Sequence, residues 1–267
     1  MSPKKPHVGA SSQPKEVSMV TKKRVAPNVI PDAPAPATKN NSLRVRLDDM
    51  ATIQPKTAKQ KEFFDAYNAG DYFMCLHGVA GTGKTYIALY KALEEVMDKS
   101  SPYKKVVIVR SSVQSRDMGF LPGDANEKME TFIQPYRQIC ADLFNRKDAW
   151  DRLSEQGYIE FISTSFIRGT TFTNSILLAD EIQNMTFEEL DTIVTRVGHT
   201  SKIIYCGDIR QTDLKKKDDK TGLPKFLDIV QNMKEFSRFE FGMDDIVRSS
   251  LVKNYIIAKT LYEDRQP

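Results

Sequence analysis

Cysteine is too scarce here to build a disulfide framework: Cys75, Cys140 and Cys206 form no CxxC pair and leave one thiol over. Two of them stand inside apolar, strand-like runs, where a thiol behaves as a small hydrophobe. The chain therefore reads as a reduced, cytoplasmic protein. Long hydrophobic runs are missing too. Nothing approaches the ~20 apolar residues that cross a bilayer, and the first thirty residues have lysines but no apolar segment of the kind a secretory signal needs. Basicity is absent from most of the chain. The formal net charge is +4, from 39 Lys/Arg against 35 Asp/Glu, but residues 1–50 hold nine of the basic and four of the acidic residues. The rest of the chain is left at a net charge of −1, without the overall positive surface typical of a nucleic-acid-binding domain.

Proline is unevenly spread. Seven of the thirteen prolines precede residue 50, in stretches such as VAPNVIPDAPAPAT, which bury too little apolar surface to offset their ordering entropy. Residues 1–48 are expected to form a disordered, basic, Pro-rich tail and residues 49–267 a single domain. The tail reads either as a solubilising leader or as a basic arm that touches RNA, DNA or a partner.

With 267 residues and 40% hydrophobic composition, the chain can bury one sizeable α/β core. Strands are expected at Tyr72–His77, Lys105–Arg110, Tyr158–Ser163, Ser175–Asp180, Lys202–Gly207 and Arg238–Phe241. Helices are expected from about Lys84 to Asp98, Phe187 to Arg196 and Leu223 to Lys234. Apolar residues at 129, 132, 133, 136, 139, 140, 143 and 144 mark one face of a further helix over Ala125–Arg146, which Pro135 should kink or interrupt. Strands without polar alternation, separated by helices, indicate a mostly parallel sheet with helices on both faces.

One motif carries specific chemistry. Gly78–Thr85 reads GVAGTGKT, the pattern G-x-x-x-x-G-K-[ST], with a strand before it and an amphipathic helix after it. Gly78, Gly81 and Gly83 let the backbone curl so that successive N–H groups face phosphate oxygens, and the helix adds its positive N-terminal end. Val79, Ala80, Thr82 and Tyr86 complete the candidate nucleotide-binding set. Lys84 would reach the β- and γ-phosphates of ATP, and the Thr85 hydroxyl would ligate Mg²⁺. A buried strand ending at Asp180-Glu181 supplies the acidic half: Asp180 for the metal, Glu181 to polarise the attacking water. A second strand ends at Gly207-Asp208, with Gln211 placed either to meet the γ-phosphate or simply to follow a turn.

In combination these segments resemble the PhoH-like family, whose P-loop core is similar to that of superfamily 1 helicases. The resemblance rests on RGTTF from Arg168, ILLADEIQNMT from Ile176, Thr195-Arg196-Val-Gly, GDIRQTDL from Gly207, Asp245-Ile-Val-Arg248 and GFLPGD at Gly119–Asp124, and it covers about residues 53 to 260. It implies a single RecA-like P-loop NTPase domain. It also implies that Gln60 reads the adenine edge, that Gln211 senses the γ-phosphate, and that Arg248 is the arginine finger or γ-phosphate sensor, with Arg168 and Arg196 as alternatives. Family members resemble hexamers. Since the chain has sequence for one RecA-like lobe where a helicase has two, an arginine supplied in trans within a head-to-tail homo-oligomeric ring is expected. The small size resembles a phage-encoded member.

Two functions follow as expectations: ATP hydrolysis coupled to movement on single-stranded RNA or DNA, or a regulatory ATPase that reshapes a protein partner. Phe120, Tyr136, Arg110 and Arg116 are the candidates for a nucleic-acid groove. A P-loop kinase is disfavoured by the Asp-Glu-x-Gln run and by the lack of an arginine-rich lid.

Overall fold

Strand after strand in this chain is apolar on both faces, and the structure shows why. The computed structural model describes residues 44–111, 125–208 and 222–263. Among these, β1 (Phe73–Gly78), β2 (Lys105–Arg110), β3 (Ile159–Ser163), β4 (Ser175–Asp180), β5 (Lys202–Gly207) and β6 (Phe236–Phe241) form one sheet. Its order is β3-β2-β4-β5-β1-β6, and every neighbouring pair is parallel. Alternate residues feed two cores, as the strand period of two requires. Met74, Leu76, Val106, Ile108, Ile176, Leu178 and Ile204 face one; Phe73, Cys75, Val107, Val109, Leu177, Ala179 and Tyr205 face the other.

The first core is closed by α1 (Ala58–Ala69), α2 (Lys84–Met97), α3 (Ala125–Phe144) and α4 (Ala149–Glu155). The second is closed by α5 (Phe187–Thr195) and α6 (Leu223–Val230). Each fully buried Leu or Ile in these layers contributes on the order of 1.5–3 kcal/mol. Local signals set the helix ends. Thr57 caps α1 by accepting from the Gln60 N–H, and Gly70 stops the helix in the left-handed region at φ 101. Thr186 and Glu189 form a reciprocal capping box on α5. The same Glu189 also accepts from Ser111, at the end of β2, and from Thr164, just past β3. The C-terminal ends of β2 and β3 are thereby tied to α5.

Several expectations need adjusting. The sheet is wholly parallel, and six strands fall where the apolar runs put them, to within two residues at each end. Pro135 does not interrupt its helix: α3 is continuous over twenty residues. Ile133, Tyr136, Cys140 and Leu143 all bury against the sheet, and that burial outweighs the one hydrogen bond a proline removes. Packing begins before residue 49, since Val45 is buried in the first core. Helices α1, α4 and α7 (Ser250–Glu263) lie outside the expected set. No helix among the described residues is long and apolar enough to cross a membrane.

Candidate nucleotide site

Between β1 and α2 the chain makes a loop with three glycines at positive φ: Gly78 at 120, Gly81 at 76 and Gly83 at 81. At Gly78 the requirement is doubled, because a Cβ there would lie 2.2 Å from the Phe241 carbonyl oxygen. That carbonyl accepts from the Val79 N–H at 3.0 Å, so the end of β6 walls the loop. Lys84 opens α2 and folds back under the loop, donating to the Val79 and Gly78 carbonyls at 2.8 and 3.0 Å and to Thr82 Oγ1 at 3.4 Å. Burial lowers its pKa against the opposing pull of Asp208, Asp180 and Glu181. Among the described residues the ammonium is thus held by neutral oxygens.

The acidic half sits across one intervening strand. β5 separates β1 from β4, a gap of two strand spacings, ~9–10 Å. Thr85, in the first turn of α2, spans it: its hydroxyl donates to Asp180 Oδ1 at 2.8 Å. Asp180 is buried, and its other oxygen accepts from the Tyr136 hydroxyl at 2.8 Å. Glu181 follows in the left-handed region at φ 54, a conformation that costs a non-glycine residue about 1 kcal/mol. Gln183 restrains it, donating to Glu181 Oε2 at 2.5 Å while accepting from the Asp208 N–H at 3.0 Å. Burial and the neighbouring Asp180 charge raise the pKa of Glu181; Arg110, Gln183 and Lys84 pull it back. A base of raised affinity for protons, held beside a carboxylate that faces a hydroxyl, is a set that can activate water.

The donors also fit a cation. Magnesium takes oxygen ligands and keeps several waters, so it needs few protein groups. Thr85 Oγ1 and Asp180 Oδ1 are two such oxygens, already side by side. Among the described residues no group of three or more His, Cys, Asp or Glu offers a competing metal site.

Other expected residues are placed as follows. Gln60 is buried, with Nε2 donating to the Thr82 carbonyl at 2.9 Å and Oε1 accepting from the Lys56 N–H at 2.8 Å. It braces the loop from behind, and its second N–H and second oxygen lone pair remain for an adenine edge. Tyr86 packs against the first core. Arg248 lies on the loop of its own chain: the Val247 N–H donates to the Gly81 carbonyl at 3.1 Å, and a Cβ on Gly81 would stand 3.1 Å from Arg248 Cγ and 3.0 Å from Ile256 of α7. Arg168 lines a surface cleft with Thr164, Ser165, Glu189 and Thr192, and Arg196 follows α5. Among the described contacts, neither reaches the glycine loop. Tyr136 is no groove liner. Tyr136 is fully buried against Asp180, and Arg110 is packed over Phe132 with the charges of Asp180 and Glu181 beside it. Gln211, Arg116, Phe120 and the Gly119–Asp124 segment lie outside the described residues. Tyr136 and Gln183 are the site residues that motif reasoning did not assign; the available signal was a hydroxyl on an otherwise apolar helix face.

A parallel sheet with a glycine-rich loop at the end of one strand and a carboxylate at the end of another defines a P-loop nucleotide-binding architecture of the ATPase type. The comparisons narrow this. The family described as PhoH-like protein matches residues 52–260, and the chain belongs to that family. It is 35% identical over 208 residues to a PhoH-like protein of Bacillus subtilis, covering 78% of this chain and 64% of that protein. It is 32% identical over 224 residues to a PhoH-like protein of Mycobacterium leprae, covering 84% and 63%. The chain thus spans less than two thirds of the length of these relatives. They are bacterial, and they add nothing to the expectation of a phage origin. Among solved structures, similarity extends to the large terminase of a thermophilic bacteriophage, with a TM-score of 0.46, 14% identity, and coverage of 76% of this chain and 50% of that one. It extends also to Pif1 helicase from Candida albicans, with a TM-score of 0.36, 16% identity, and coverage of 72% and 40%.

Proposed function

We propose that this PhoH-like protein is a magnesium-dependent ATPase whose hydrolysis is coupled to single-stranded RNA or DNA, and that it works as a head-to-tail homo-oligomer. The observation that carries the ATPase reading is the Thr85–Asp180 hydrogen bond at 2.8 Å. It puts the acidic end of β4 on the same side of the sheet as Lys84 and the loop.

The loop N–H groups and the N-terminus of α2 bind the phosphates. Lys84 exchanges its loop carbonyls for phosphate oxygens. Thr85 and Asp180 hold the metal, which when bound neutralises charge on the β- and γ-phosphates. Glu181 takes the proton of the attacking water, and its left-handed backbone and the Gln183 bond keep the carboxylate aimed. Arg248, on the outer side of Gly81, serves the nucleotide of its own loop. A trans arginine would then come from another position. The exposed apolar residues of α7, Leu251, Tyr255 and Tyr262, support an oligomer, because this helix packs on the loop through Ile256 and leaves its other side for a neighbouring subunit.

Glu181→Gln is expected to bind ATP normally and to lower kcat by ~10²–10⁴-fold; turnover at the wild-type rate would refute the base assignment. Coupling is tested by ATPase rates across a panel of single-stranded RNA and DNA, with the assembly mass measured in parallel. Salt-sensitive stimulation supports the nucleic-acid reading. One observation favours the second reading, a regulatory ATPase on a protein partner: burial of Tyr136 removes one of the four residues that would have tracked a strand. No response to any nucleic acid would select it.

A further inference from the structure

Resting on the ATPase reading above, we infer that Tyr136 and Arg110 are positioning residues for the acidic pair: the Tyr136 hydroxyl sets the orientation of Asp180, and Arg110, packed over Phe132 one turn away, braces the helix that carries it.

A carboxylate that shares a metal with a hydroxyl must present one chosen oxygen. Asp180 has one hydroxyl donor on each oxygen, Thr85 on Oδ1 and Tyr136 on Oδ2, both at 2.8 Å. Thr85 belongs to the nucleotide loop and changes partners when a metal enters. Tyr136 does not. It comes from α3, 44 positions away in sequence, and no part of it reaches solvent. Its ring is fixed by Trp150, stacked at 6.3 Å, and by Phe161 at 6.0 Å. In this pair the phenol is the donor and the carboxylate the acceptor. A hydrogen bond to a charged acceptor is stronger than one between neutral groups, and burial makes it costly to leave unmade. The bond therefore holds one rotamer of Asp180 against the others.

Arg110 completes the device. As the last residue of β2, its guanidinium lies over the Phe132 ring at 5.3 Å, one helical turn before Tyr136. Burial works against its charge, but Tyr136, Asp180 and Glu181 outweigh that and hold its pKa above the ordinary value. A core tyrosine needs only some partner for its hydroxyl. Here the partner is the carboxylate that faces Thr85, and the neighbour behind it is a cation set beside the general base.

The test is Tyr136→Phe, which removes one oxygen and keeps the ring. Binding of a fluorescent ADP analogue is titrated with Mg²⁺, and kcat and KM for ATP are measured separately. Partners that orient metal ligands typically matter by about 10–100-fold. Tyr136→Phe is therefore expected to need ~10–100-fold more Mg²⁺ for half-maximal effect and to lose ~10-fold or more in kcat, with metal-free ADP binding and KM within about twofold of wild type. Arg110→Lys keeps the charge and loses the fork; it should show the same pattern more weakly, and it keeps the inference testable should Tyr136→Phe fail to fold. Wild-type protein that binds and hydrolyses ATP with magnesium, alongside variants with unchanged Mg²⁺ titrations, overturns this inference alone. Wild-type protein that does neither overturns the ATPase reading and this inference with it.

Discussion

Two of the buried lysines lie at opposite ends of this sheet, Lys202 at the start of β5 and Lys84 at the start of α2, and they are treated in opposite ways. At the N-terminal end of β5, Lys202 is 2% exposed. It pairs with Glu95 at 2.9 Å and lies over the Tyr67 ring at 3.8 Å. Glu95 in turn accepts from the Tyr67 hydroxyl. Charge, ring face and hydroxyl are all satisfied within the protein. At the other end, Lys84 is also buried, but among the described residues it donates to two carbonyls and a hydroxyl. The nearby carboxylate Asp180 is engaged by Thr85 and Tyr136 instead. A fully paired buried cation adds rigidity; one held by neutral oxygens is ready for an anion from outside.

The comparison is broken most easily at Lys84. Lys84→Met is expected to lower ATP hydrolysis by ~10²–10³-fold, the range found when one preorganised electrostatic donor is lost. Its melting temperature should stay at or above that of wild type, because a desolvated charge is removed. Lys202→Met should do the reverse. It leaves Glu95 without its cation, and because Glu95 is about a quarter exposed the cost should be roughly 2 kcal/mol, below the ~3–5 typical of a fully buried pair. For a domain of this size that is a fall of ~4–8 °C, with turnover per folded molecule unchanged. A Lys84→Met protein that melts as low as Lys202→Met would erase the distinction.

How much of this was legible beforehand follows from how far apart the partners lie. Gly78–Thr85 is a continuous motif, and Asp180-Glu181 ends an unmistakable apolar strand, so both halves of the candidate site could be read locally. Six strands and helices α2, α3, α5 and α6 were legible for the same reason, since a parallel sheet covered on both sides needs uninterrupted apolar runs. What joins the halves was not legible. The Tyr136–Asp180 bond spans 44 positions and the Gln60–Thr82 bond 22, and nothing in either local sequence marks the partner. Tyr136 looked like a groove aromatic because it was judged as a side chain facing out. Pro135 looked like a break because local propensity was judged without the sheet beneath it. Helix α7 was missed because Leu251, Tyr255 and Tyr262 put apolar residues on its exposed side, which blurs the stripe that marks a packed helix.

A third buried base sharpens the contrast at the loop end. His77 is the last β1 residue before Gly78, 1% exposed, and its Nε2 accepts from Arg238 Nε at 2.5 Å. The neutral ring therefore carries its hydrogen on Nδ1, which has no hydrogen-bond partner among the described residues. Burial lowers its pKa to about 4, helped by the charges of Arg238 and Lys84 and opposed by Glu240. The folded value lies below the ordinary 6.5, so between these values the unfolded chain takes up a proton that the native protein refuses. Stability that is complete above about pH 6.5 is lost as the pH falls toward 4, on the order of 2 kcal/mol by about pH 5. Denaturant melts at about pH 7.5 and pH 5 measure this directly, and His77→Leu should remove most of the difference between them. Lys202 shares its end of the sheet with Glu95, whereas His77 faces Arg238 and Lys84. If the pH dependence survived His77→Leu intact, a group other than His77 would be its source.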